Sequence, residues 1–139
     1  MTLTATDALA NVPLLASLDR PHLEKLARDF TARTFDAGSV VVRQGDDHGI
    51  GFFVIAEGTA TVTVDGNPVS TLGPGDSFGS IALISDRVRT ATVTAETELR
   101  TWVMTLWDFR AFVQGDPNVA WSLLQQLAGM LRRQESVHH

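Results

Sequence analysis

The sequence contains no cysteine, which removes disulfide scaffolds, zinc-thiolate sites and thiol nucleophiles together. It has no long apolar run either. The longest, such as Phe52 to Ala56, are strand-sized and far too short to cross a bilayer. The N-terminus, MTLTATDALA, lacks a basic segment followed by an apolar stretch, so no signal peptide is expected and the chain is read as cytoplasmic. Basic surface is also scarce. The formal net charge is −5, the pI is near 5.2, and Arg132-Arg133 is the one basic pair. Phosphate neutralisation supplies most nucleic-acid affinity, so direct DNA or RNA binding is not expected, and nor is membrane binding. The histidines, His22, His48, His138 and His139, form no pair with ligand spacing in the strand-rich region. There is no Ser/His/Asp arrangement or paired-carboxylate site. The expectation is a non-enzyme without a metal site or resident cofactor.

What is present fits one ordinary globular domain: 139 residues, 44% hydrophobic and 19% charged. The chain reads in three zones. In residues 1–30, Asp19 caps a helix with Pro21 in its first turn, and Leu23, Leu26, Ala27 and Phe30 make an apolar stripe above Leu14, Leu15 and Leu18. From 31 to 104 the period falls to two: Ala60, Val62 and Val64 alternate with threonines, as do Ala91, Val93 and Ala95. Turn signals recur at Ala37-Gly38, Gly45-Asp46, Glu57-Gly58, Asp65-Gly66 and Gly73-Pro74-Gly75-Asp76. Asp65-Gly66 is the clearest two-residue hairpin. Short strands at this spacing argue for a mainly β sandwich, roll or barrel.

Residues 105–134 are helical again. Thr105 caps a helix carrying Leu106, Phe109, Ala111 and Phe112, which Gly115 ends; Asp116 and Pro117 then start a last helix to roughly Gln134. Val119, Leu123, Leu127 and Met130 lie along one side of it, with Ala120, Leu124 and Leu131 beside them and Trp121 widening the sector. So wide a face either covers the β-region and meets a partner, or is all core. Trp102, Trp107 and Trp121 are read as core or interface residues.

The stretch that carries chemistry is FGSIALISDRVRTATV, Phe78 to Val93. It reads as a glycine turn, one helical turn over Ser80 to Ile84, a polar loop with two arginines, then a strand. Backbone N–H groups at a helix start favour an anion, and Gly79 allows a ligand to approach them closely. Arg89, eleven residues after Phe78, can offer its planar fork to the same phosphate. Thr90 adds a hydroxyl, and Ala91 leaves room. Arg87 is read as solvated, and the glycines at 45, 58, 73 and 75 as turn residues.

This stretch resembles the phosphate-binding cassette (78–91) of the cyclic-nucleotide-binding domain family, whose members include catabolite-activator-like proteins and protein kinase A regulatory subunits. FDAGSVVVRQGD (Phe35 to Asp46), FFVIAEGTATV (Phe52 to Val62) and LGPGDSFG (Leu72 to Gly79) are similar to other parts of the same family. The resemblance implies an antiparallel β-roll, or jelly roll, with short N-terminal helices and two C-terminal helices. It implies ligand contacts from Gly79, Ser80, Ile81, Ala82, Arg89, Thr90 and Ala91, with cyclic AMP or another cyclic nucleotide as ligand. Gln125, Gln126 and Arg132 are candidates for the base by location. Ser80 stands where the family usually has a ribose-binding glutamate. Loss of that charge-assisted hydrogen bond would weaken a cyclic nucleotide roughly 10- to 150-fold. The chain ends just after the last helix, so a stand-alone sensor is expected, acting on a second copy or a separate effector through that helix. The alternative is a ligand-free interaction or dimerisation module that kept the roll.

Overall fold

A computed structural model describes residues 2–45, 51–79 and 91–138. The N-terminal zone folds as α1 (Ala5–Leu9), a 3-10 turn (Pro13–Leu15) and α2 (Arg20–Ala27). Thr4 caps α1, its hydroxyl accepting from the Asp7 N–H at 3.2 Å. Asp19 caps α2 in the same way, accepting from the His22 N–H at 3.0 Å, with Pro21 in the first turn. These caps satisfy N–H groups that a helix start leaves without partners. Leu15, Leu23, Leu26 and Phe30 are buried as their spacing predicts. Helix α1, whose Ala8 and Leu9 are also buried, has too short an apolar pattern to stand out in the sequence.

Among the described residues eight strands follow: β1 (Thr31–Phe35), β2 (Val40–Val42), β3 (Gly51–Glu57), β4 (Ala60–Val64), β5 (Asn67–Leu72), β6 (Ser77–Phe78), β7 (Thr92–Ala95) and β8 (Leu99–Thr105). They form two antiparallel four-stranded sheets, ordered β1-β8-β3-β6 and β2-β7-β4-β5. The expected antiparallel β-roll is the observed architecture. At the β4–β5 turn, Asp65 and Gly66 both have positive φ (54° and 81°), and Val64 pairs with Asn67. That is the two-residue geometry whose twist matches a hairpin.

Strand β3 does not alternate in burial: Gly51 to Ala56 are all buried. Both of its faces are covered, which is why its sequence is continuously apolar. Phe52 and Val54 join Met104, Leu9, Leu23, Leu26 and Phe109 in one core under the helices. Ile55, on the other face, joins Ala60, Val93, Ala95 and Leu99 in a second core inside the roll. Thr101 of β8 is the one buried polar residue among the described residues; its hydroxyl donates to the Arg33 carbonyl at 2.8 Å.

Helix α3 (Leu106–Gly115) starts on Thr105, whose hydroxyl accepts from the Asp108 N–H. Phe109 is buried and Phe112 and Val113 pack beside it, whereas Ala111 faces solvent. Helix α4 (Pro117–His138) runs a turn beyond the expected Gln134. Its Asp116 cap accepts from the Asn118 N–H at 3.0 Å. Val119 and Leu123 are buried, but Trp121 (63%), Leu124 (57%) and Leu131 (63%) are exposed. The wide apolar sector is therefore not all core. One side covers the first core and the other is open. Trp102 is half-buried, its indole N–H donating to the Leu3 carbonyl, while Trp107 is exposed.

Candidate functional site

The entry to the cassette is held to β3 from both backbone and side chain. Gly73-Pro74-Gly75-Asp76 forms a tight turn in which the Asp76 carboxylate accepts from the Gly73 N–H at 2.8 Å. The Gly75 N–H donates to the Ile55 carbonyl, and the Ile55 N–H to the Asp76 carbonyl, each at 2.8 Å. Strand β6 then pairs Phe78 with Phe53, and their rings stack with centroids 4.8 Å apart and planes 9° from parallel. Phe35 closes on Phe53 from a third strand, at 6.2 Å. Gly79 follows with φ 91°, a conformation open to glycine and strained for other residues.

The exit is held to the other sheet. Ala91, half-buried, leads directly into β7, where Thr92 pairs with Thr63 of β4. The Gln44 backbone N–H donates to the Thr92 hydroxyl at 2.9 Å. The Gln44 side chain in turn clasps the hairpin tip: its amide donates to the Asp65 carboxylate (2.9 Å) and its carbonyl accepts from the Asp65 N–H (2.8 Å). Two turns of the second sheet, at Gln44 and at Asp65, are thus tied to each other and to the start of β7. Gly79 and Ala91 are the two predicted site residues that the structure places, and they flank a connection from one sheet to the other. Ser80, Ile81, Ala82, Arg89 and Thr90 lie outside the described residues, as does Arg87.

Between the sheets, Phe35, Val42, Val62, Leu72 and Phe78 are only partly buried around the inner core of Ile55, Ala60, Val93, Ala95 and Leu99. All of these side chains are apolar. Sequence reasoning missed the two fixings that frame it, Phe53 on Phe78 and Gln44 on Asp65. The first had a signal in FF and SF at strand spacing; the second, across twenty-one residues, had none.

The rest of the molecule offers other features. Among the described residues no group of three His, Asp or Glu could hold a metal ion. No helix among them is long and apolar enough to cross a membrane. A groove of about 320 Å3 runs between α3 and α4, lined by Phe109, Val113, Ala120, Leu123, Leu124 and Leu127 with Arg110 and Gln114. Of the base candidates, Gln126 on α4 is half-buried, while Gln125 and Arg132 are exposed.

With this geometry in place, comparison with known proteins is decisive. Residues 32–116, from the first strand through the cassette to the end of α3, match the family model described as the cyclic nucleotide-binding domain. The chain belongs to that family. It is 45% identical over 93 residues to the cAMP-dependent protein kinase regulatory subunit of Schizosaccharomyces pombe, covering 66% of this chain and 22% of the relative. It is 39% identical over 112 residues to a cyclic nucleotide-gated potassium channel of Mesorhizobium japonicum, covering 81% of this chain and 31% of the relative. This member thus spans between about a fifth and a third of those relatives' length. Among solved structures, the N-terminal domain of a transcriptional regulator from Streptomyces coelicolor is similar with TM-score 0.84 and 30% identity, over 94% of this chain and 96% of that one. The catabolite activator protein of Thermus thermophilus is similar with TM-score 0.73 and 26% identity, over 89% and 60% of the two chains.

Proposed function

We propose that this domain is a regulatory sensor that binds a cyclic nucleotide, with cyclic AMP the first candidate, through Arg89 and the backbone at Gly79. The observation that carries this reading is the family match across 32–116, which includes every residue of the cassette. Relatives named as cAMP-dependent kinase regulatory subunits, and a similar fold solved as cAMP-bound, support the choice of nucleotide. Arg89 takes the phosphate in a bidentate manner, with backbone N–H groups around Gly79, Ile81 and Ala82 and the Thr90 hydroxyl beside it, while Ala91 leaves room. The nucleotide displaces water from the apolar surface of Val62, Leu72 and Phe78.

In this reading, occupation of the cassette is relayed to α3 and α4, and the exposed apolar side of α4, Trp121, Leu124 and Leu131, meets a second copy or a separate effector. Such a relay requires the ligand to favour one arrangement of the helices over another. The protein acts in the cytoplasm, without catalysis, cofactor, nucleic acid or membrane. A second reading rests on Ser80, which lacks the carboxylate a ribose 2′-hydroxyl would use: the domain is a ligand-free interaction module that docks through α4.

Thermal unfolding with cyclic AMP, cyclic GMP and cyclic dinucleotides separates the two. A nucleotide at about 100 times its dissociation constant stabilises the folded state by about 2.7 kcal/mol. A shift in Tm that Arg89→Ala abolishes supports the sensor. No shift with any of these nucleotides at millimolar concentration leaves the interaction module.

A further inference from the structure

At the helical end of the molecule, far along the chain from the cassette, one histidine bridges two carboxylates. His22 Nδ1 lies 2.6 Å from Asp19 Oδ1, and its Nε2 lies 3.3 Å from Asp116 Oδ2. Both carboxylates are helix caps. Asp19 begins α2, and Asp116 occupies the junction where α3 ends and α4 begins. The His22 side chain is about one-third exposed, at 36%, so protons reach it readily.

The protonation state follows from hydrogen-bond inventory. A neutral imidazole has one N–H and one lone pair, so it donates to one carboxylate and turns its lone pair on the other. Only the doubly protonated ring satisfies both. The carboxylates stay ionised because backbone N–H groups bind them: the His22 N–H at Asp19, the Asn118 N–H at Asp116. The other charged groups nearby are otherwise engaged or set along the helix. Arg20 pairs with Glu24 at 3.3 Å and Asp7 at 3.8 Å, and Lys25 stands three residues further along α2.

We propose that His22 is a proton-operated clasp between α2 and the α3–α4 junction, closed when the ring carries two protons and opened at Asp116 when it carries one. The Asp19 contact is the shorter and lies within its own helix turn, so the neutral ring keeps it and releases Asp116. Asp19 first, then Asp116, raises the His22 pKa above its ordinary value, consistent with a closed clasp at mildly acidic pH. Val119 and Leu123 in the first turns of α4 pack with Leu23 and Leu26 of α2 in the core under the helices, and the Ser17 hydroxyl donates to the Ser122 carbonyl at 3.3 Å. Opening at Asp116 removes the polar contact between α2 and the start of α4, so the first turn of α4 readjusts on this core and the surroundings of exposed Trp121 change.

The test is an NMR titration of the full chain from pH 5 to 9, following the His22 ring and the Trp121 indole N–H. The expected result is a His22 midpoint above the ordinary histidine value of about 6.5, with the Trp121 signal moving at the same midpoint. Asp116→Asn keeps a competent helix cap but removes the charge, and it lowers the His22 midpoint. His22→Gln abolishes the Trp121 transition. The proposal is overturned if His22 titrates at or below the ordinary value, if Asp116→Asn leaves its midpoint in place, or if Trp121 shows no transition with it.

Discussion

Replacing Phe53 with leucine tests whether the roll's inner packing holds the cassette in place. Phe53 is fully buried, stacked on Phe78 at 4.8 Å and flanked by Phe35 at 6.2 Å. Leucine keeps much of the apolar volume but loses both ring contacts, at about 0.5–1.5 kcal/mol each. The two contacts together come to about 1–3 kcal/mol. A chain of this size should lose roughly 3–12 °C in Tm. Since such domains are stable by about 5–15 kcal/mol, the variant stays folded at room temperature. Phe78 precedes Gly79, so the displaced ring also moves the cassette entry, and cyclic AMP affinity falls several-fold. Val12→Ala, buried under the helices, is the control: it destabilises comparably by leaving a small cavity but spares affinity. Denaturant unfolding and calorimetric titration of both variants provide the readouts. A cost for Phe53→Leu below about 0.5 kcal/mol, or an equal loss of affinity in both variants, would refute the reasoning.

Three further outcomes are expected. Gly58→Ala should cost at least about 2 kcal/mol, because φ is 97° and the new Cβ would fall 2.2 Å from the Glu98 carbonyl oxygen; Gly66→Ala, with nothing within 4 Å, should cost about 1 kcal/mol, and equal losses would contradict this. Thr101→Val should cost about 0.5–1.5 kcal/mol in urea unfolding, since it removes the buried hydroxyl that donates to the Arg33 carbonyl. The third concerns pH. His22 has a raised folded pKa, so its stabilisation is full below the ordinary histidine value and is lost as pH rises through the raised one; Asp19 and Asp116 have lowered values, so theirs is full above about pH 4 and is lost as pH falls further. The stability lost in His22→Gln should therefore be largest between about pH 4 and 6.5 and shrink above it; a difference that stays constant from pH 5 to 8.5 would contradict the account.

Much of the fold was legible because local signals and burial agree. Asp19, Thr105 and Asp116 each cap the helix expected of them, and Asp65-Gly66 makes its hairpin with both residues at positive φ. The Ala60/Val62 and Val93/Ala95 alternation reports strands with one face in the roll core. What the sequence did not disclose is nonlocal. The partition of β3 between two cores depends on which elements cover each face, and GFFVIAE reads the same either way. The open side of α4 is as apolar as the packed side, so composition alone left its exposure undecided. The His22 bridge joins residues ninety-four positions apart, and no spacing rule reaches that far. In the FGSIALISDRVRTA stretch, the glycine turn at Gly79 and the strand after Ala91 were legible, while the ring stack and the Gln44 clasp behind them needed three dimensions.

The central claim is that the cassette binds a cyclic nucleotide with the phosphate held by Arg89 and the ribose weakly held at Ser80. Isothermal titration of cyclic AMP into the wild type, Arg89→Ala and Ser80→Glu tests it most directly. The account predicts measurable binding by the wild type, none by Arg89→Ala, and binding roughly 10- to 150-fold tighter by Ser80→Glu. Wild-type binding that survives Arg89→Ala unchanged would contradict it.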